Sequence, residues 1–213
     1  MPSVEQAQSW YLDDDPVHDF DHVMRVYRIA EKLALAEGAD LEIVCAAALL
    51  HDSVGSAPGN PGEARAEHHI LSAIFARQVL TEEGWAEERI QAVEHCIRAH
   101  RFRNKGEKPQ TIEAQVLFGA DKLDVLGAIG AARTIAYAAL DGQPSYAEPS
   151  QQFLETGVKQ PGEPHSSYHE YLFKLRRVKE LLFTHTGRQI AEQRDAFLRA
   201  FYEQLQAECR GER

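Results

Sequence analysis

The chain has 213 residues, 44% of them hydrophobic and 26% charged, and a formal net charge of −10, which is enough length to bury one good core. That charge excludes a general affinity for nucleic-acid backbone, which needs clustered Lys and Arg, although a local basic site with a cation can still take a small polyanion. The longest apolar run is far shorter than the ~20 residues of a membrane span, and "MPSVEQAQSWYLDDDP" has no basic stretch leading into an apolar core. The expectation is therefore a cytoplasmic protein with neither a membrane nor a nucleic acid as partner.

Helical periodicity dominates, and alternating strand patterns are nearly absent, so the expected fold class is all-α. Residues 19–37 read as a helix with Phe20, Val23, Val26, Tyr27, Ile29, Ala30 and Leu33 on a broad apolar face, ended by Gly38. Asp40 caps the next helix, "IVCAAALLHD", which is almost wholly apolar until His51 and Asp52 and so reads as an interior helix. "SVGSAPGNPGEA" is a loop. Helices follow over about 64–83, 87–100, 111–126 and 129–140, then a long loop over 141–164, then helices over about 167–184 and 187–208. One domain is expected, with its core over 18–140 and the C-terminal helices of 165–209 packed on it. Cys45, Cys96 and Cys209 have no metal-type spacing and are expected as free thiols.

The titratable residues can be sorted by the face they occupy. His22 shares a stripe with Val26, Ile29 and Leu33. Asp121 shares a face with Leu117, Asp124 and Ala128, beside the apolar Val116 and Ala120, and His51 and Asp52 end the most apolar helix. Taken singly, His22 reads as a satisfied core histidine and Asp121 as a helix-linking hydrogen bonder. Taken together, two imidazoles and two carboxylates aimed inward from three helices form the mixed nitrogen and oxygen set that suits Mn, Fe, Co, Ni or Zn.

The order His22, His51–Asp52, Asp121 resembles the H…HD…D pattern of the HD superfamily of metal-dependent phosphohydrolases. "HDFDHVMRV", "AALLHD", "IRAHRF", "GADKLDVLGAIG" and "KELLFTHTGRQIAEQRDAFLRAF" are similar to the small bacterial branch that includes nucleoside triphosphate pyrophosphohydrolases. The resemblance spans nearly the whole chain and implies an HD-domain helical bundle with a C-terminal helical extension. It implies His22, His51, Asp52 and Asp121 as metal ligands. Ser53, Val54, Gly55 and Ser56 follow the pair, where enzymes of the stringent-response nucleotide carry Glu-Asp. The chain also lacks the Gly-Tyr-Pro signature and the lysine soon after the pair that mark the cyclic-dinucleotide branch, and Gly55 replaces the acid of the deoxynucleoside-monophosphatase branch.

The implied activity is divalent-metal-dependent hydrolysis of a nucleotide, triphosphate to monophosphate and pyrophosphate, with Mn favoured among Mn, Co, Ni, Fe, Zn and Mg. The alternatives are a phosphomonoesterase on nucleoside monophosphates or other small phosphate esters, and a non-catalytic metal- or ligand-binding protein. Beside Asp52, the residues expected to act in catalysis are His18, Arg25 and Lys122; these three, with His100, are also expected to touch substrate. Asp124 is expected to orient a ligating imidazole. His100 faces inward and suits substrate or a second ion, His95 is expected exposed, and His69 aligns with Ala73 and Ala76 beside His68. His165, His169 and His185 are read as solvated. The expected partner is a small nucleotide or phosphate ester, with a homodimer left open.

Overall fold

The computed structural model describes residues 1–11, 20–54, 62–101 and 106–213, with backbone alone for 62–66. Its elements are α1 (Val4–Gln8), α2 (Phe20–Glu37), α3 (Leu41–Leu50), α4 (Gly62–Glu82), α5 (Glu87–Ala99), α6 (Ile112–Leu123), α7 (Gly127–Leu140), α8 (Gln151–Thr156), α9 (Ser167–Phe173), a 3₁₀ helix (Leu175–Leu181) and α10 (His185–Cys209). The fold is all-α, and the described residues contain no strand. No single helix among them is long and apolar enough to cross a membrane.

The chain divides into two compact units, residues 1–121 with 182–187, and residues 122–181 with 188–213. In the first, α3 is the interior helix: every residue from Ile43 to Leu50 is buried, and α1, α2, α4 and α5 all pack on it. Its start is set by Asp40, whose Oδ1 accepts from the amides of Glu42 and Ile43 at 3.0 and 3.1 Å. An Asp in that position contributes about 1 kcal/mol to a helix. Gly38 ends α2 at φ +71°, and the Ala39 amide returns to Ala34 O at 3.0 Å, the closure that a left-handed C-terminal residue allows.

In the second unit α7 packs on α9, and the stacked rings of Tyr171 and Tyr202, 4.5 Å between centroids, lie in its interior. Gly130, in the first turn of α7, lies so close to the Val125 carbonyl that any side chain there would collide with it.

The elements differ from the sequence reading in four places. "SVEQ" opens α1: Ser3 Oγ accepts from the Gln6 amide at 3.1 Å, the start of a capping-box pattern, and Ala7 is fully buried. The helix expected over 111–126 stops at Leu123 and a new one starts at Gly127, whose φ of +71° no helix interior allows. Asp124 and Ala128 are thus not on Asp121's helix face. The helix expected over 167–184 becomes α9 and a 3₁₀ helix, because Leu175 and Val178, both buried, are spaced by three, the 3₁₀ period. The loop of 141–164 contains α8, capped by Ser150. All three cysteines are free, with Cys45 and Cys96 buried.

Candidate metal centre

Two helix ends face one another through histidines that terminate them in the same way. His51 follows α3 and donates from Nδ1 to the Ala48 carbonyl at 2.8 Å; His100 follows α5 and donates from Nδ1 to the Ile97 carbonyl at 2.5 Å. The last carbonyls of a helix lack intrahelical donors, so each ring satisfies one of them. The bond also sets the tautomer: a neutral ring protonated at Nδ1 carries its lone pair on Nε2. The two rings are 5.2 Å apart, and both Nε2 atoms turn toward Asp52, 3.7 Å from Oδ2 for His51 and 3.5 Å from Oδ1 for His100.

His22, on the buried face of α2, closes the other side. Its Nε2 lies 3.8 Å from Asp52 Oδ2 and 3.7 Å from Asp121 Oδ1, at the last turn of α6. His22, His51 and Asp52 are buried, and Asp121 retains some exposure, so the cluster is open on the side of that carboxylate.

The donor set fits a cation. His51 Nε2 is fully buried and has no hydrogen-bond partner, an arrangement that normally costs about 1–3 kcal/mol. Protonation would give it a donor function, but burial chiefly, with the neighbouring His100 and His22 rings, drives its pKa down to about 4. Burial alone would raise the Asp52 carboxyl; the surrounding His51, His100 and His68 outweigh that and keep it well below the usual carboxylate range. A lone pair 3.7 Å from an ionised carboxylate is repulsive without positive charge between them. His22, His51 and Asp52 offer ligand atoms close enough together for one ion, and so, in a second group, do Asp52, His68 and His100.

His68 is the member missing from the sequence-based set. Its stripe runs through Ser72 and Ala76, both fully buried, but a serine does not register as apolar. Arg101 Nη1 donates to His68 Nδ1 at 2.8 Å, so the ring proton sits on Nε2, which lies 3.2 Å from Asp52 Oδ1.

Of the other expected site residues, Arg25 and Lys122 are half-buried, and His18 lies outside the described residues. Asp124 is buried in the second unit and accepts from Arg133 Nη1 at 2.8 Å. Two histidines read as solvated are not. His169 is fully buried between Ser166 and Glu163, and His95 is clasped, donating from Nδ1 to Glu107 at 2.5 Å and accepting from the Gln110 amide at 3.1 Å. In both, a local carboxylate satisfies one ring nitrogen and a second polar group, the Ser166 hydroxyl or the Gln110 amide, the other, which the apolar pattern does not report.

The family profile described as "HD domain" matches residues 19–126. The chain belongs to the HD-domain family. It is 31% identical to the uncharacterized protein YpgQ of Bacillus subtilis (strain 168), over 99% of this chain and 96% of that one. It is also similar to the crystal structure of Bacillus subtilis YpgQ in complex with ADP, with a TM-score of 0.71, 29% identity and 97% of each chain covered. An HD-superfamily hydrolase of Bacillus thuringiensis has a TM-score of 0.68 and 28% identity over 97% of this chain and 96% of its own. The metal-binding character of the family agrees with the two groups of His and Asp that can hold an ion.

Proposed function

We propose that this chain is a divalent-metal-dependent phosphohydrolase acting on nucleotides, cleaving a nucleoside triphosphate to the monophosphate and pyrophosphate. The observation that carries the reading is the buried His51 Nε2, without a hydrogen-bond partner and turned to Asp52, beside His22 and Asp121. The complex of the YpgQ relative with ADP supports a nucleotide over other phosphate esters.

In this reading His22, His51, Asp52 and Asp121 hold the ion. When bound, a divalent cation supplies positive charge at phosphoryl oxygens and makes water a competent nucleophile near neutral pH. The chain's own groups do the rest. The Nδ1–H bonds to helix carbonyls keep His51 and His100 in the tautomer whose Nε2 faces the cluster. His68, held by Arg101, turns its Nε2–H to Asp52 Oδ1, while Oδ2 lies toward His22 and His51. Arg25 and Lys122 are the phosphate contacts, with His18 and His100 at the substrate. Water adds at the α-phosphorus, the α–β anhydride bond breaks, and pyrophosphate leaves.

In a second reading a further ion would be held by Asp52, His68 and His100, because the Asp52 carboxylate belongs to both ligand groups. Loading it requires the His68 Nε2 proton to leave.

The test is metal content of the purified protein, then a Mn²⁺-supplemented assay over a nucleotide panel with pyrophosphate and phosphate detected separately. Pyrophosphate release that disappears in Asp52→Ala supports the reading. Phosphate alone moves it to a phosphomonoesterase, and metal with neither product leaves a binding protein. Two equivalents of metal per chain, against one, decides the second reading.

A further inference from the structure

The turn carrying His51 and Asp52 is fastened by a residue outside the span that the HD-domain profile covers, residues 19–126. Helix α3 ends with carbonyls that have no helical donor, and side chains take up three of them. His51 Nδ1 donates to Ala48 O at 2.8 Å, and Ser53 Oγ donates to Leu50 O at 2.9 Å. Between these, the Tyr11 hydroxyl donates to Leu49 O at 2.8 Å, across 38 positions of sequence. The hydroxyl thus satisfies the carbonyl two residues before His51 and three before Asp52, at the turn that carries the pair. It fixes the direction in which the Asp52 side chain leaves the helix.

The ring is held so that it can do this. Ala7, Val23 and Leu49 form a buried cluster, and Val4, Trp10, Tyr11, Phe20, Met24 and Tyr27 pack against it. Trp10 meets Phe75 edge-on at 5.4 Å, and Tyr11 lies 5.6 Å from Phe20. The segment of residues 1–11 is thereby anchored to α2 and α4 as well as to the end of α3.

We propose that Tyr11 is a positioning residue of the metal centre, its hydroxyl setting the turn that presents His51 and Asp52 to the ion. The inference rests on the metal-site reading above. Tyr11 touches neither ion nor substrate; it acts through the backbone of the HD pair, as outer groups act that orient metal ligands.

The test is Mn²⁺ binding to the full-length chain, followed by the loss of the electron paramagnetic resonance signal of free aqueous Mn²⁺, for wild type, Tyr11→Phe, Tyr27→Phe and Asp52→Ala. Tyr27 is the control: it packs on the same apolar cluster, but the groups that act on its hydroxyl after burial are Cys45 and Glu31, not the HD pair. Tyr11→Phe keeps the ring and is expected to raise the Kd for Mn²⁺ by about tenfold, the lower end of what outer-shell changes cost. Tyr27→Phe is expected to leave the Kd within about twofold, even where its melting temperature falls as much. A Tyr11→Phe Kd within that margin of wild type overturns the proposal, and so does an equal weakening in Tyr27→Phe, which would assign both effects to packing. If wild type binds no Mn²⁺, or Asp52→Ala binds it equally well, the metal-site reading itself fails and the proposal with it; wild-type binding lost in Asp52→Ala but unchanged in Tyr11→Phe sinks the proposal alone.

Discussion

His51 in the first unit and His169 in the second are both fully buried, and both stand beside a carboxylate. At His169 every polar atom of the ring has a partner: Nε2 donates to Glu163 Oε1 at 3.1 Å, and Nδ1 accepts from the Ser166 hydroxyl at 2.7 Å. Glu163 in turn accepts from the Ser150 amide, the Ser150 hydroxyl and the Gln160 amide, and these bonds, the Ser150 amide foremost, pull its pKa down to about 2. At His51 one nitrogen is satisfied by a helix carbonyl and the other is left facing a carboxylate with its lone pair. A buried imidazole with both nitrogens bonded is a tie between loops; one with a bare nitrogen beside a carboxylate offers a ligand pair that could hold a cation.

The largest effect expected from that contrast is on turnover. Asp52→Ala removes the carboxylate that both ligand groups share, so metal-dependent phosphohydrolysis should fall by about 10³-fold or more, measured as pyrophosphate released at saturating Mn²⁺. His169→Leu should leave kcat within about twofold. Comparable losses in both variants would remove the distinction between the two histidines.

Next is ligand-linked stability. At a Mn²⁺ concentration a hundred times the Kd, the wild-type chain should gain about 2.7 kcal/mol against denaturant. His51→Gln should lose most of that gain and His169→Leu should keep it. A full gain in His51→Gln would show that the bare Nε2 is not a ligand. Without metal the order reverses: His169→Leu strands the Ser166 hydroxyl inside the second unit and should cost about 1–3 kcal/mol in urea unfolding. An unchanged urea midpoint would refute the description of that ring as a tie.

How far this contrast was legible in the sequence follows from what periodicity can report. His22, His51 and His100 lie on or at the end of apolar stripes, so their inward direction can be read from spacing alone. His68 cannot, because its stripe continues through Ser72, and His169 cannot, because its burial rests on Glu163, Ser150 and Ser166, polar residues from a segment that reads as loop. The α6–α7 break is legible at the glycines of "LGAIG", but its width is not, since "GADKLDVL" keeps a helical apolar spacing up to residue 126 where α6 ends at Leu123. The α1 helix had a legible signal, the Ser3 to Gln6 capping pattern, but its length of five residues is below what periodicity resolves.

The remaining expected effect is in pH. In the chain stripped of metal by a chelator, His51 has a pKa of about 4 because of burial first, against about 6.5 in an unfolded chain. Between these values the unfolded state binds a proton that the folded state refuses, so stability falls as pH drops from about 6.5 toward 4 and levels off for this group below that. The full difference is on the order of 3 kcal/mol for His51. His69, also near 4 through burial, and His169, lowered through burial, add slopes of the same sign. A single urea curve therefore does not isolate His51, but the difference between wild type and His51→Gln does. The variant should lose less stability than wild type over that pH range and match its slope above pH 7. With Mn²⁺ present the wild-type loss should steepen, because protons then compete with the ion for the Nε2 lone pair. Parallel curves for wild type and variant without metal would mean that His51 accepts a proton in the folded chain as easily as in the unfolded one, and the argument from its bare nitrogen would fail with it.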